Sequence, residues 1–154
     1  MPDLRTLITA DELARLRAAY DSKAMNEGAR KATSAPFPPS STFVDAVINT
    51  FYGPSAVIPA VRREQVLIAI IASHAGMRRI LAVHLYWGLM EGLSIEEICA
   101  TLLLVGTYDG IDNYSEAQRH FATLINGVLR PALASGGDAL GSGAIMKLLG
   151  QVFP

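Results

Sequence analysis

The residues best suited to chemistry lie around one histidine, His84, in the middle of the chain. An unperturbed imidazole titrates near neutrality, so it can both donate and accept a proton at physiological pH. Four residues are candidates for binding a small anionic substrate beside it: His74, Arg78, Arg79 and Tyr108. The alternative for His84 is a core histidine bound to a backbone carbonyl, and for His74 a residue that caps a helix end.

The arginine pair is unusual because it is expected near the start of a helix. Cations are disfavoured there by the positive end of the helix dipole. Arg78 and Arg79 would therefore face an anionic ligand or pair with carboxylates of a neighbouring subunit. A solvated surface is the third interpretation.

Metal and thiol chemistry have weaker signals. The three histidines, His74, His84 and His120, lack a tight ligand spacing such as i, i+4, so we expect no metal and no cofactor. The single cysteine, Cys99, cannot form an internal disulfide and stands between apolar residues. We interpret it as a buried structural residue in a protein of the reducing cytoplasm.

Helical signals dominate the chain, and no segment shows sustained period-two alternation, so the fold class is all-α. Capping boxes at Thr9 with Glu12 and at Ser94 with Glu97 mark two helix starts. The sequence predicts a helix from Ala10 to about Lys31, a proline-rich linker over 33–41 held by Phe37, and a turn region over 106–113. Further helices are predicted over 42–52, 61–73, 77–91, 94–105 and 115–133.

These elements predict three regions. Residues 1–41 form a helical arm with its linker, residues 42–133 form the helical core, and residues 134–154 form a glycine-rich tail. We expect the tail to be poorly ordered, although 145–152 could dock as a short helix.

The composition limits the classes of partner. A chain of 154 residues fits one domain, with 51% hydrophobic and 18% charged residues. No apolar run is long enough to span a membrane, so we expect the apolar excess to form an oligomer interface. A net charge of −1 argues against a nucleic-acid surface. The chain opens Met-Pro-Asp-Leu-Arg without the apolar core of a signal peptide, which again predicts the cytoplasm.

The stretch Gly76-Met77-Arg78-Arg79-Ile80-Leu81-Ala82-Val83-His84, followed by Gly92-Leu93-Ser94-Ile95-Glu96-Glu97-Ile98, carries a family resemblance. It resembles the redox segment of the alkylhydroperoxidase D and carboxymuconolactone decarboxylase family, Gly-Cys-x-x-Cys-x-x-x-His. Tyr108-Asp109-Gly110 is similar to the Tyr-x-Gly turn of that family. The resemblance covers roughly 43–129 and implies an all-α alkylhydroperoxidase D-like helical bundle that assembles as a trimer or hexamer.

The resemblance also implies residue roles, and the two cysteines of the family are missing. Met77 and Ile80 stand at the cysteine positions, His84 falls on the histidine, and Gln65 falls on the relay glutamate. Glu64 lies one position earlier and fits that role only if the register slips. The decarboxylase branch has its acid four residues before the histidine, where this chain has Ile80. We therefore expect no thiol peroxidase activity.

Two functions remain open. The first is a carboxymuconolactone decarboxylase-like lyase, without a cofactor, in which His84 moves a proton on a small organic acid or lactone. The second is a catalytically silent helical oligomer that binds or scaffolds. A polar, accessible pocket at His84 would favour the enzyme, and an apolar plug of Met77, Ile80 and Trp87 would favour the silent protein. A redox protein using intermolecular Cys99 disulfides is a weaker third option.

Overall fold

The computed structural model describes residues 3–34, 40–54, 56–74 and 76–154, and every regular element in these ranges is helical. The prediction of an all-α fold is confirmed. After a short 3₁₀ turn at Leu4–Thr6, the helices are α1 (Ala10–Ala18), α2 (Ser22–Ser34), α3 (Ser41–Phe51), α4 (Ala60–Ala72), α5 (Arg78–Glu91), α6 (Ile95–Asp109), α7 (Ile111–Leu124), α8 (Arg130–Ser135) and α9 (Ser142–Val152). Within the described ranges, no helix is long and apolar enough to cross a bilayer.

The two predicted capping boxes are present. The Thr9 hydroxyl accepts from the Glu12 backbone N–H at 3.2 Å, and the Glu12 carboxylate accepts from the Thr9 N–H at 2.8 Å. Ser94 and Glu97 repeat the arrangement at 3.1 and 2.8 Å. Each box satisfies two donors that a helix start otherwise leaves without partners. The starts of α1 and α6 are therefore fixed by local sequence.

The N-terminal arm differs from the single helix that was predicted over 10–31. It breaks after α1 because the Asp21 carboxylate accepts from the backbone N–H of Ala24 at 3.0 Å and so starts α2. Arg17 of α1 donates to the carbonyls of Leu89 and Leu93 at 2.8 and 3.1 Å. These carbonyls lie at the end of α5, where a cation is favoured. The arm is thus packed on the core, while Phe37 and most of the proline-rich linker lie outside the described residues.

The predicted turn over 106–113 is much shorter in the structure. Helix α6 continues through Tyr108 to Asp109, and the chain turns only at Gly110, whose φ of 108° suits glycine. Gly106 serves packing instead, since a Cβ on it would lie 2.6 Å from the Cβ of Tyr114. It was interpreted as a turn glycine, but it allows α6 and α7 to approach closely.

The C-terminal region is also more ordered than predicted. Helix α7 runs through a π-helical segment, Ile125–Leu129, into α8. Pro131 explains the widening, because its ring would clash with the carbonyl four residues earlier in a regular α-helix. Of the two expectations for the tail, the docked short helix over 145–152 is confirmed and the poorly ordered tail is not: α9 buries Ile145 and Leu149 completely in the core.

Helix α5 lies at the centre of the fold. It contacts α1, α4, α6, α7 and α9, and Leu85, Tyr86 and Leu89 have no exposed surface. A helix that is apolar on most of its sides is buried on most of its sides. A polar side chain on such a helix therefore needs a partner within the protein, and His84 is in this position.

Candidate functional site

His84 is paired with a buried carboxylate, Glu64 of α4. The Nδ1 atom of His84 lies 2.8 Å from Oε2 of Glu64, and Glu64 has no exposed surface. Because an ionised carboxylate can only accept a hydrogen bond, Nδ1 carries the proton and donates it. The other ring nitrogen, Nε2, is then left as a proton acceptor. Nε2 makes no hydrogen bond to the described residues and is not among the sealed polar atoms of the core.

The second oxygen of Glu64 binds Arg63. The Arg63 Nε donates to Glu64 Oε1 at 2.8 Å, and its Nη1 donates to the carbonyl of Phe51 at 2.6 Å. The guanidinium carbon lies 4.0 Å from the centre of the Tyr52 ring. Only 8% of Arg63 is exposed. A buried cation therefore supplies a counter-charge to the Glu64 carboxylate and holds it in place for His84.

The approach of α4 to α5 depends on Gly88, one helical turn after His84. A Cβ on Gly88 would lie 2.9 Å from Cδ1 of Leu93, 3.0 Å from Cδ1 of Ile68 and 3.7 Å from Cβ of Glu64. Leu93 and Ile68 are fully buried, so neither has free space to move into. The missing side chain thus lets the backbone carrying His84 come within hydrogen-bonding reach of Glu64.

Trp87 packs its ring edge-to-face against the His84 imidazole, with 5.1 Å between the ring centroids. Tyr52 packs in the same manner on Trp87 at 5.9 Å. Burial, and then the charge of Glu64, raise the pKa of Tyr52 to about 12, so its hydroxyl stays neutral. The imidazole is therefore held in one orientation by a carboxylate at one nitrogen and by aromatic packing beside it.

Two cavities open onto His84. The larger, of about 750 Å³, lies between α2, α5 and α9 and includes Arg79, Ile80, Met146 and Gly143. The smaller, of about 220 Å³, lies between α2, α3 and α5. Ala29, His84 and Trp87 line both. The larger volume is within the usual range for small-molecule sites.

The structure brings one predicted binding residue, Arg79, into a cavity with His84. Its guanidinium is exposed and approaches α9, where a Cβ on Gly150 would lie 3.2 Å from Nη2. Arg79 makes no hydrogen bond or ion pair with any residue in the described ranges. It is therefore available to a carboxylate in the larger cavity.

The other predicted binding residues lie elsewhere. His74 and Arg78 line a separate narrow cleft together with Met77 and Glu116. The Nδ1 of His74 bonds to the Ile70 carbonyl at 2.7 Å, as the capping alternative predicted, and Arg78 lies 3.8 Å from Glu116. Tyr108 is 87% exposed at the end of α6 and lines neither His84 cavity.

The predicted apolar plug does not form, because its members separate. Met77 faces the cleft of His74, whereas Ile80 and Trp87 are walls of the open cavity. The thiol of Cys99 is partly buried on α6, and burial raises its pKa, which lowers the thiolate fraction needed for redox chemistry. Among the described residues, no group of three potential ligands could hold a metal ion.

The family frame places Gln65 at the relay position and Glu64 there only if the register slips by one residue; in the structure, Glu64 makes the contact with His84. Gln65 faces α6 and donates to the Thr101 hydroxyl at 3.2 Å. The missed signal is helical spacing: Glu64 stands four and seven residues before Ile68 and Ile71, two members of the buried face of α4. A carboxylate on that face has to find a buried partner, and His84 together with Arg63 provides it.

Comparison with protein-family models, curated proteins and solved structures finds no match to this chain.

The geometry of Glu64 and His84 is suited to acid–base chemistry. A carboxylate at Nδ1 fixes the tautomer of the imidazole and stabilises the imidazolium that forms when Nε2 takes a proton. Positioned acid–base groups of this kind contribute typically about 10²–10⁴-fold to a rate. The site can therefore move a proton to or from a small molecule in the cavity, with Arg79 available to hold an anionic group.

Proposed function

We propose that the protein is a cofactor-free acid–base catalyst that acts on a small organic acid or lactone, in the manner of a carboxymuconolactone decarboxylase-like lyase. The observation that carries this proposal is the Glu64–His84 hydrogen bond beside a cavity that is lined by both His84 and Arg79. The alkylhydroperoxidase D-like bundle is part of the proposal, supported by the all-helical architecture and by the sequence frame that ends at His84.

The elementary step is a proton transfer. Nε2 of His84 takes a proton from a carbon next to a carbonyl group, and the electron pair of the broken C–H bond moves into that carbonyl. The imidazolium is stabilised by Glu64, and it returns a proton to the same or a neighbouring carbon. Arg79 would hold the carboxylate of the substrate and so fix which carbon faces His84.

Hydrogen–deuterium exchange of a substrate carbon tests this step without knowledge of the product. A panel of keto acids and lactones would be incubated with the protein in D₂O and followed by proton NMR. We expect loss of the C–H signal with the wild type, and a reduction of at least about 10²-fold with His84→Gln. His74→Gln is the matched control, because this histidine lies in the separate cleft. Equal rates in the two variants would refute the role of His84.

One observation favours assembly of the chain with copies of itself. Apolar side chains with about half or more of their surface exposed lie on α4 and on the end of the α6–α7 pair: Val66, Ile70, Leu103, Leu104 and Ile111. Helices α4 and α6 are in contact, as are α6 and α7, so we propose that these side chains contribute to one surface. A homo-oligomer, trimer or hexamer, that covers this region is the second part of the proposal.

The silent oligomer is the competing function, and it shares this surface. Sedimentation of the wild type and Leu104→Glu tests the interface: a shift of the variant to monomer supports it, and an unchanged mass refutes it. If the wild type assembles but exchanges no substrate proton at all, the silent binding protein is the better description.

A further inference from the structure

The two cavities at His84 differ in chemistry. The described walls of the larger cavity include the cation Arg79 and no carboxylate. The smaller cavity is lined by Ala29, Phe43, Val44, Val47, Ile48, Tyr52, His84 and Trp87, so apart from His84 its polar atoms come from Tyr52 and Trp87. The Nε1 of Trp87 is sealed from solvent. The larger chamber is otherwise mainly apolar, so Arg79 is the group that can hold an anion there, whereas the smaller chamber suits a hydrocarbon group.

His84 lies on the wall that the two chambers share. Ala29, His84 and Trp87 are common to both linings. Arg79 and His84 are five residues apart on α5, which corresponds to about 7.5 Å along the helix axis. We expect the part of a molecule that extends past His84 from Arg79 to enter the apolar chamber.

A charge in the smaller chamber would be unfavourable. Val44 is buried, Val47 is half-buried, and no described cation lines this chamber except His84 when it is protonated. Burying an ionised group without a partner costs far more than burying a methylene group gains. The chamber thus discriminates against dicarboxylates and sugar acids, whose far ends are polar.

We infer that the substrate is a monocarboxylic acid with an apolar chain or ring, which binds with its carboxylate at Arg79 and its apolar end in the chamber of Val47. This inference rests on the proposed function for the step at His84, but the ligand class stands on the two linings alone. It makes α3 the element that sets the permitted length of the substrate.

Calorimetry with a homologous series measures this selectivity. The ligands are acetate, butanoate, hexanoate and octanoate, with hexanol and hexanedioate as matched compounds that lack the carboxylate or carry a second one. We expect affinity to rise by about fourfold for each methylene group that enters the apolar chamber. Hexanol and hexanedioate should each bind at least about tenfold more weakly than hexanoate.

Two variants separate the chambers. Arg79→Gln should weaken all acids by about tenfold or more, whereas Arg78→Gln, its neighbour in the other cleft, should leave them unchanged. Val47→Trp should fill the smaller chamber and remove the gain from butanoate to octanoate, while acetate binding is kept. Val47 is only half-buried, so the larger side chain is compatible with folding.

The outcomes distinguish this inference from the proposed function. Affinity that is independent of chain length, hexanedioate binding as tightly as hexanoate, or equal effects of Arg79→Gln and Arg78→Gln would overturn the inference. Selective binding of apolar monocarboxylates without proton exchange on any keto acid of that class would keep the inference and reject the catalyst. Proton exchange without chain-length selectivity would support the catalyst and reject the inferred ligand class.

Discussion

Replacing Glu64 by glutamine should destabilise the fold more than any surface charge change. The substitution keeps the size of the side chain and removes its charge. Glu64 is fully buried, and the side chains of its partners Arg63 and His84 are only 10% and 13% exposed. The variant would therefore leave the Arg63 guanidinium in the core without a counter-charge.

The magnitude follows from that burial. Removing one partner of a buried ion pair costs about 3–5 kcal/mol, because the remaining charge is neither solvated nor paired. This is a large share of a typical unfolding free energy of about 5–15 kcal/mol. With a urea m-value of about 2 kcal/mol/M, the midpoint should fall by about 1.5–2.5 M.

Urea unfolding at one fixed protein concentration measures this change, and two variants serve as controls. Glu27→Gln breaks an exposed pair with Lys31 whose atoms lie 3.6 Å apart, and it should change stability by less than about 0.5 kcal/mol. The double variant Arg63→Met with Glu64→Gln removes both charges and should be more stable than Glu64→Gln alone. A loss below about 1 kcal/mol in Glu64→Gln, or simple additivity in the double variant, would refute the argument.

Three further predictions concern the surroundings of the site. Gly88→Ala should lose about 1 kcal/mol net, because overpacking against Leu93 outweighs the helix-propensity gain, whereas Gly28→Ala, which meets no described atom within 4 Å, should gain about 0.5–1 kcal/mol. Burial lowers the pKa of His120 below its ordinary value of 6.5, so the unfolded chain binds more protons and stability should fall as the pH drops through that value. Ser94→Ala should cost about 1 kcal/mol through the lost cap.

Each of these three predictions has a result that would contradict it. Gly88→Ala with wild-type stability would mean that the Leu93 and Ile68 side chains can move aside without penalty. His120→Gln should lose less stability than the wild type between about pH 7.5 and about pH 5.5, and an identical profile would exclude His120 as the cause. Ser94→Ala with an unchanged urea midpoint would show that α6 is held by its packing alone.

The sequence predicted the parts of the fold that depend on local chemistry. The caps at Thr9 and Ser94 are such cases, because their hydrogen bonds lie within one helical turn. The roles of Gly106 and of α9 could not be predicted in the same way, since both depend on contacts with residues distant in the chain. A glycine-rich segment has the composition of a flexible one, and only its packing against the rest of the protein shows that it is ordered.

In the candidate site, too, local sequence predicted one part and contacts between distant residues determined the rest. His84 was selected from its position in the family-like frame, in which Gln65 stands at the relay glutamate and Glu64 takes that role only if the register slips by one residue. The distance from Glu64 to His84 depends on how α4 lies against α5, and that is determined by Gly88 and the buried side chains around it. The spacing of Glu64 with Ile68 indicated a buried acid, but it did not identify the partner.

The walls of the larger cavity come from distant parts of the chain, namely α2 over residues 24–29, α5, and α9 over residues 142–146. A ligand between them therefore acts as a non-covalent cross-link that must be released before either helix can detach. Bound ligand should slow amide hydrogen exchange in α2 and α9 together, and leave exchange in α6 nearly unchanged. The amide exchange rates of α2 and α9, two helices that carry no reacting group, would then report whether the site is occupied.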